Sequence, residues 1–412
     1  MERSRRSQTT SHASDLSLCA LVACLFVSTI ATAAPHTPAW RFEVLYVFRG
    51  GDDGAYPQAQ LIHDSANNLY GTTSGGGGFC PGYGCGVIFK IDARGHETVL
   101  YRFLGGEDGA WPSGALVRDA TGVMYGTTYG GGADCGTDEG CGTVFKLDTT
   151  LKKTVLHRFI GLDGQAPASG LVMDTKGILY GTTEAGGIFN DGAVFRIDKR
   201  GKMSVIHSFN FWVDGACPCS SLHLDSSGNL YGVTFDGGGG LGAVFKLSKN
   251  LDETVLYAFS GMNGDGSYPY TGLSEDSDGN LYGATAGGGT RGDNGTIFKL
   301  TPNGGESVLY SFKGMPDGTV PVGLLRDVRG NLYGTTREGG KGGCSYGCGT
   351  VFRLSRNGIE EVLHRFTGGA DGATPYAGLV VDNKALYGTT FVGGAYNGCN
   401  QGCGVIFKLT PQ

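Results

Sequence analysis

Leu69-Tyr70-Gly71-Thr72-Thr73 is the stretch on which the reading of this chain turns, because it returns six more times with small variations. The tyrosines of the seven copies are Tyr70, Tyr125, Tyr180, Tyr231, Tyr282, Tyr333 and Tyr387, separated by 55, 55, 51, 51, 51 and 54 residues. A period of this length marks a repeat architecture, in which each copy is one supersecondary unit that buries its apolar face against its neighbours. The 412 residues would suffice for two or three ordinary domains, but stacked repeats make a single domain of any length.

Working outward from the second copy, one unit reads as four strands over residues 112–159. Leu116–Asp119 is a short apolar strand ending in Asp, and Ala120-Thr121-Gly122 is a turn. Met124–Thr128, Gly142–Leu147 and Thr154–Phe159 follow as the second, third and fourth strands, with a Gly-rich loop before the third. Alternation, β-branched and aromatic residues, and Gly, Asp and Asn punctuation favour strands over helices. Four antiparallel strands per unit of about fifty residues predict a β-propeller blade. The expected fold is therefore all-β, a seven-bladed β-propeller. Glu43–Phe48 reads as a fourth strand and Gly404–Leu409 as a third. The N-terminal strand is thus expected to complete the last blade and close the ring over residues 43–412, which removes any free blade face.

Composition agrees with many short strands and tight turns. Gly accounts for 76 of 412 residues without a Gly-X-Y period, which excludes collagen. Charged residues are 17%, and a net charge of −6 offers no basic footprint for nucleic acid. Arg3, Arg5 and Arg6 precede an apolar run from Leu16 to Ile30 and the small-x-small sequence Ala31-Thr32-Ala33. Residues 1–33 therefore read as a signal peptide cleaved after Ala33, followed by a short linker over 34–42. Leu21-Val22-Ala23-Cys24 also resembles a lipoprotein box, but the apolar run continues past Cys24. The mature chain is expected to be secreted, periplasmic or held in the cell envelope, monomeric, and without a transmembrane span.

Cys19 and Cys24 lie in the signal; the other ten cysteines fall into close pairs. The pairs Cys80/Cys85, Cys135/Cys141, Cys344/Cys348 and Cys399/Cys403 lie in loops between second and third strands, and Cys217/Cys219 stand apart. An even number in an exported chain reads as disulfides. Zinc is the weaker reading, because each loop supplies two thiols and no nearby His. Cys217-Pro218-Cys219 reads as structural, as a disulfide or with each Cys bonded elsewhere, and a redox pair is the alternative. Neither a metal nor a cofactor is expected.

Two polar positions recur in all units and are expected to build turns. Asp64, Asp119, Asp174, Asp225, Asp276, Asp327 and Asp382 end the first strands, where an Asp accepts bonds from amides just downstream. Asp-Gly-x-x-Pro recurs at 53–57, 108–112, 163–167, 214–218, 265–269, 317–321 and 371–375, between blades. Each copy offers one carboxylate, far short of the six or more oxygens calcium takes.

Leu-Tyr-Gly-Thr-Thr, Gly-Thr-Val-Phe-Lys-Leu, Val-Leu-Tyr-x-Phe and Asp-Gly-x-x-Pro, recurring in fixed order, resemble the GloVer tandem repeat over residues 43–409. That resemblance implies a bacterial repeat protein of the envelope or exterior; it implies no activity and no catalytic residue. The strand order is more loosely similar to NHL-type propellers.

Function is expected where the repeat becomes irregular. From the last Thr of each Tyr-Gly-x-Thr phrase to the Phe of the third strand the separations are 16, 17, 12, 11, 13, 16 and 17 residues. Blades 6, 7, 1 and 2 thus carry long, Cys-containing loops, and blades 3, 4 and 5 short ones. The braced arc serves either to shape a binding surface or to harden the envelope protein. The residue after each phrase varies: Ser74, Tyr129, Glu184, Phe235, Ala286, Arg337 and Phe391. So does the residue before the repeated Pro, including Tyr56, Trp111 and Tyr268. Trp111, Tyr129, Glu184, Phe235, Arg337, Glu338 and Phe391 are the candidate ligand-binding residues, for a glycan or a protein.

Catalytic signals are sparse. His157, His207 and His364 take the fourth-strand place of Tyr101 and read as packing residues, and His63 and His223 lie near first-strand ends. No nucleophile elbow, phosphate loop or metal motif is present. The expectation is a binding scaffold. A polysaccharide lyase or hydrolase using Glu184, Arg337 or His223 is the first alternative, and a purely structural surface protein the second.

Overall fold

The computed structural model describes residues 39–412, apart from residues 79, 81, 137, 138, 396 and 397. The segment read as a signal peptide, with Cys19 and Cys24, lies outside the described residues. Seven antiparallel four-strand blades follow one another, and the seventh takes its outer strand from the other end of the chain. Trp40–Val47 pairs antiparallel with Val405–Pro411, from Trp40 opposite Pro411 to Val47 opposite Val405. Blade 2 shows the strand lengths: Val117–Arg118, Met124–Thr128, Thr143–Leu147 and Lys153–Arg158.

Each letter of the opening phrase has a separate physical role. Leu69 is buried with Leu61 and Phe89 in the core of blade 1. The Tyr70 hydroxyl donates to Asp64 Oδ2 at 2.9 Å. Gly71 leaves room for an aromatic ring: a Cβ there would stand 2.6 Å from Phe89 Cζ. Thr73 Oγ1 donates to Gly75 O at 2.8 Å and accepts from the Val87 amide at 3.2 Å. The Thr before it faces the next blade: Thr127 Oγ1 donates to Ser169 O at 3.1 Å and Thr335 Oγ1 to Ala377 O at 2.8 Å.

Phenylalanine closes every seam. The fourth-strand Phe of one blade meets the third-strand Phe of the next edge to face, in the pairs 48–89, 103–145, 159–195, 209–245, 259–298, 312–352 and 366–407. Both rings of every pair are essentially fully buried. Burying one such side chain is worth about 1.5–3 kcal/mol, and the edge-to-face geometry adds roughly 0.5–1.5 kcal/mol.

The repeated Asp residues are structural. Asp64 Oδ1 accepts from the amides of Ala66 and Asn68 at 2.9 and 3.0 Å. Asp119, Asp174, Asp225, Asp276 and Asp327 repeat this arrangement. Asp382 departs from it, pairing with Ala385 across a tight Asn383-Lys384 turn in which both residues have positive φ. The Asp of Asp-Gly-x-x-Pro instead holds the fourth strand of the preceding blade. Tyr46 and Tyr101 donate hydroxyl hydrogens to Asp53 and Asp108, and His157, His207 and His364 bond Asp163, Asp214 and Asp371 through Nε2. Those histidines pack, as their position implies, and they also hydrogen-bond. Glu97, Glu306 and Glu360 complete three of these seams; burial, then the charges of Asp53, Asp265 and Asp317, push each up to about 7.

Candidate functional site at the channel mouth

The first strands line a central cavity of about 750 Å³. Its mouth lies on the face that carries both the loops between second and third strands and the inter-blade connections. One residue per blade, next to the repeated Pro, lines this cavity, and on blades 2 and 3 the residue after the Tyr-Gly-x-Thr phrase joins it.

The residue before the Pro turns away from the cavity. Tyr56, Trp111, Ala166, Cys217, Tyr268, Val320 and Thr374 all have φ between 52 and 61°. That left-handed backbone departs from the extended conformation usual before Pro. It lets each amide donate across the seam to the preceding blade, as Tyr56 does to Cys403 O and Trp111 to Cys85 O, both at 2.9 Å. The residue after the Pro faces the cavity instead. Gln58, Ser113, Ala168, Cys219, Tyr270, Val322 and Tyr376 form this ring, one from each blade. Tyr270 and Tyr376 were not among the expected residues, which around the Pro lay before it, two residues earlier in the chain.

Of the residues following the phrase, Tyr129 and Glu184 line the cavity. Glu184 is largely buried, and desolvation pushes its carboxyl up to about 7. Tyr129 and Tyr270 both interact with it, and their hydroxyls are raised first by burial and then by the Glu184 charge. Arg337 lies 5.4 Å over the ring of Tyr376, pairs with Glu338 Oε1 at 3.0 Å, and couples electrostatically to Tyr270. Phe235 packs on Tyr268 and Tyr270, and Phe391 on Tyr56 and Tyr376, so both support the tyrosines. The mouth thus combines a carboxyl that takes up its proton as pH falls through about 7, a guanidinium, and three tyrosines. Such a set donates hydrogen bonds and offers flat apolar faces.

Two candidates lie elsewhere. Trp111 occupies the left-handed position and donates from Nε1 to Gly84 O at 3.1 Å, packing at a seam rather than lining the cavity. His223 pairs with Glu275 at 3.0 Å and lies opposite Tyr231, four residues before Phe235. At about 3.3 Å per residue that is roughly 13 Å toward the far end of the channel. Glu184 and Arg337 share the mouth; His223 does not join them.

The disulfides divide by position. Cys80–Cys85, Cys135–Cys141, Cys344–Cys348 and Cys399–Cys403 brace loops of blades 1, 2, 6 and 7. The second cysteine of each is fully buried. Its carbonyl accepts the cross-seam amide of the next blade: Trp111 to Cys85, Ala166 to Cys141, Thr374 to Cys348 and Tyr56 to Cys403. The bond also packs on the glycine that leaves the fourth strand, for a Cβ on Gly105 would stand 2.9 Å from Cys80 Sγ. These four disulfides therefore brace seams as well as loops. Cys217–Cys219 spans two residues and lies beside the cavity. Among the described residues the one group of potential metal ligands is Glu184, Cys217 and Cys219, and both sulfurs are taken by the disulfide.

Where the loops are short, the rim is apolar. Ile160, Leu162, Ile188, Phe189, Trp212, Val213 and Met262 are exposed on blades 3 and 4 and their connections. The backbone ties these segments together, Gly187 to Gly161, Gly238 to Phe211, and Phe211 to the Asp191 carboxylate. A separate open groove of about 670 Å³ lies on the outer strands of blades 4 and 5, far from the mouth residues.

Seven four-stranded blades closed by the N-terminal strand define a β-propeller with a polar, aromatic channel mouth. Within that class the chain belongs to the Gloeobacter/Verrucomicrobia repeat family, whose model matches residues 29–245 and 224–412. Similar solved structures include virginiamycin B lyase from Staphylococcus aureus, at 15% identity and a TM-score of 0.59, covering 90% of this chain and 99% of the lyase. The extracellular domain of the putative hybrid two component system BT3049 from B. thetaiotaomicron is also similar, at 15% identity and a TM-score of 0.56. There the match covers 91% of this chain and 41% of that one. At these identities the likeness establishes the propeller fold. No curated protein sequence matches the chain. The five disulfides point to an oxidising compartment such as the envelope or exterior, and among the described residues no helix is long and apolar enough to cross a membrane.

Proposed function

We propose that the protein is an exported binding scaffold that takes a glycan at the mouth of its central channel. The convergence of Tyr129, Glu184, Tyr270 and Tyr376 on one cavity, with Arg337 stacked beside them, carries this reading. Sugar rings present apolar faces to tyrosines, and their hydroxyls and carboxylates meet the protonated Glu184 and the guanidinium. Calorimetric titration with neutral and uronate-containing oligosaccharides tests it: saturable binding that falls in Tyr270→Ala and Arg337→Ala supports the assignment. Binding unchanged in both variants overturns it. A signal peptide cleaved after Ala33 belongs to the same proposal, and the N-terminal residue of the exported protein decides it.

A protein ligand is the second reading, favoured by the apolar rim of Ile160, Leu162, Ile188, Phe189 and Trp212. A sugar-cleaving enzyme is less well supported. Glu184 offers an acid, but His223 is remote, and the second carboxyl near the mouth, Glu338, is engaged with Arg337. Glycoside hydrolysis ordinarily needs two carboxyl groups facing one bond.

A further inference from the structure

The Cys217–Cys219 disulfide differs from the other four in span, in the burial of its cysteines and in its surroundings. It closes a span of two residues, where the others close four to six. Both of its cysteines are partly accessible, whereas each loop pair has one cysteine fully buried. Cys219 lines the central cavity. A carboxylate oxygen of Glu184 and the two Sγ atoms all lie within 4.8 Å of one another. The carbonyls of the loop cysteines carry seams; the seam bond at this connection runs from the Cys217 amide to Asp191 O, and Cys219 has no part in it.

We propose that Cys217–Cys219 is a redox-active disulfide that exchanges with external thiols through the channel mouth, with Glu184 as the proton donor to the leaving sulfur. The co-reactant is a dithiol, small or on a partner protein. Its thiolate enters the cavity and attacks Cys219 Sγ, forming a mixed disulfide as the Sγ–Sγ bond breaks. The electron pair leaves on Cys217 Sγ, which takes the Glu184 proton, directly or through one water. The second thiol of the dithiol then attacks its own sulfur in the mixed disulfide and displaces Cys219 as a thiolate, which takes up a proton. The dithiol is oxidised to a disulfide, the protein gains two electrons and two thiol hydrogens, and Glu184 is recharged from the proton the dithiol released. Exchange depends on access to the attacked sulfur and on stabilisation of the leaving one, and Cys217–Cys219 offers both, through the cavity and through Glu184.

The titratable groups that face Glu184 are Tyr129 from blade 2 and Tyr270 from blade 5, both raised by burial and so neutral across the relevant range. Glu184 itself carries its proton up to about pH 7. Exchange catalysed by that proton therefore weakens above neutrality, once the growing supply of reductant thiolate is divided out.

The test uses the whole mature protein, with dithiothreitol as probe, quenching by acid, alkylation and peptide mass mapping. Cys217 and Cys219 should become labelled about tenfold faster than any loop pair. In Glu184→Gln the rate per reductant thiolate should fall below pH 7 and lose its pH dependence, while Glu184→Asp should retain part of it. Labelling of all five pairs at equal rates, or a pH profile unchanged in Glu184→Gln, overturns the proposal. So does a Cys217→Ser/Cys219→Ser variant that no longer folds, since the pair is then structural. Glycan binding is measured separately, so failure of one assignment leaves the other standing.

Discussion

The two arcs of the loop face solve the same packing problem by different means. Blades 6, 7, 1 and 2 carry long loops, each stitched by a disulfide whose buried cysteine receives the next blade's amide. Blades 3, 4 and 5 reach the same seams with short loops, held by bonds such as Phe211 to Asp191 at 2.8 Å, and leave Trp212, Ile188 and Phe189 in solvent. The Phe–Phe contacts beneath are indistinguishable, 4.9 Å between centroids for Phe209–Phe245 and 5.3 Å for Phe366–Phe407. Stability thus comes from a symmetric core, and the asymmetry was added above it. One arc is raised and cross-linked, the other low with Ile188, Phe189 and Trp212 in solvent, and the candidate mouth residues come from both.

The largest expected effect probes the shared core. Phe209→Ala and Phe366→Ala should each cost about 3–5 kcal/mol in chemical denaturation, because each leaves a cavity at a seam. Hydrogen exchange should then open the unbraced 3–4 seam before the braced 6–7 seam, and equal protection in the two variants would break the distinction between arcs. Next, Cys80→Ser/Cys85→Ser should lower stability by about 2 kcal/mol on the chain-entropy account and speed proteolysis near residues 74–86. A loss confined to the loop, with the 1–2 seam still protected, would show that the disulfide braces only its own loop.

At the mouth, Tyr270→Ala or Arg337→Ala should weaken glycan binding about tenfold, near 1.4 kcal/mol, while Tyr346→Ala on the braced arc should change nothing. Glu97, Glu306 and Glu360 have folded values near 7, above the usual carboxyl range, so their contribution is full below about pH 4.5 and is lost as pH rises through 7. Asp64 and Asp276 run the other way. Partial burial raises them, but hydrogen bonds led by Asn68 and Asn280 hold them at about 2, so their contribution is lost only as pH falls through 2. The unfolding temperature should therefore peak in mildly acidic solution and drop by a few degrees toward pH 8. A Glu97→Gln/Glu306→Gln/Glu360→Gln variant should flatten that decline. Smallest of all, Trp212→Ser should leave stability within about 0.5 kcal/mol yet reduce binding of an apolar fluorescent dye more than Tyr346→Ser does.

The fold was legible because each letter of the repeated phrase meets a rigid local demand. Gly71 must clear Phe89, Tyr70 must reach Asp64, and Thr73 must satisfy Val87. Such short-range demands recur with the repeat and survive in one sequence. The site was half legible. Tyr129, Glu184 and Arg337 stood out because they broke a repeated position, and they do gather at the mouth. Tyr270 and Tyr376 were passed over because the variable, aromatic position before the Pro drew the attention; all seven residues there are left-handed, and the cavity-facing position lies past the Pro. His223 drew attention as a histidine near a first-strand end, but its partner, Glu275, lies in the next blade, and no spacing within one repeat reveals a neighbour set by the ring.

The pairing of Trp40 with Pro411 gives the ring a clasp made from the first and last pieces of the propeller to be synthesised. Six blades can be assembled as their residues arrive, each from neighbours in sequence, but the seventh waits for the entire chain. Until then the circle is a horseshoe with two bare edges, and the entropy of bringing its ends together is met in a single late step. This ordering acts as a safeguard: the ring cannot lock before the whole chain is present. A chain cut short by its last few residues would lose the whole circle, not one blade.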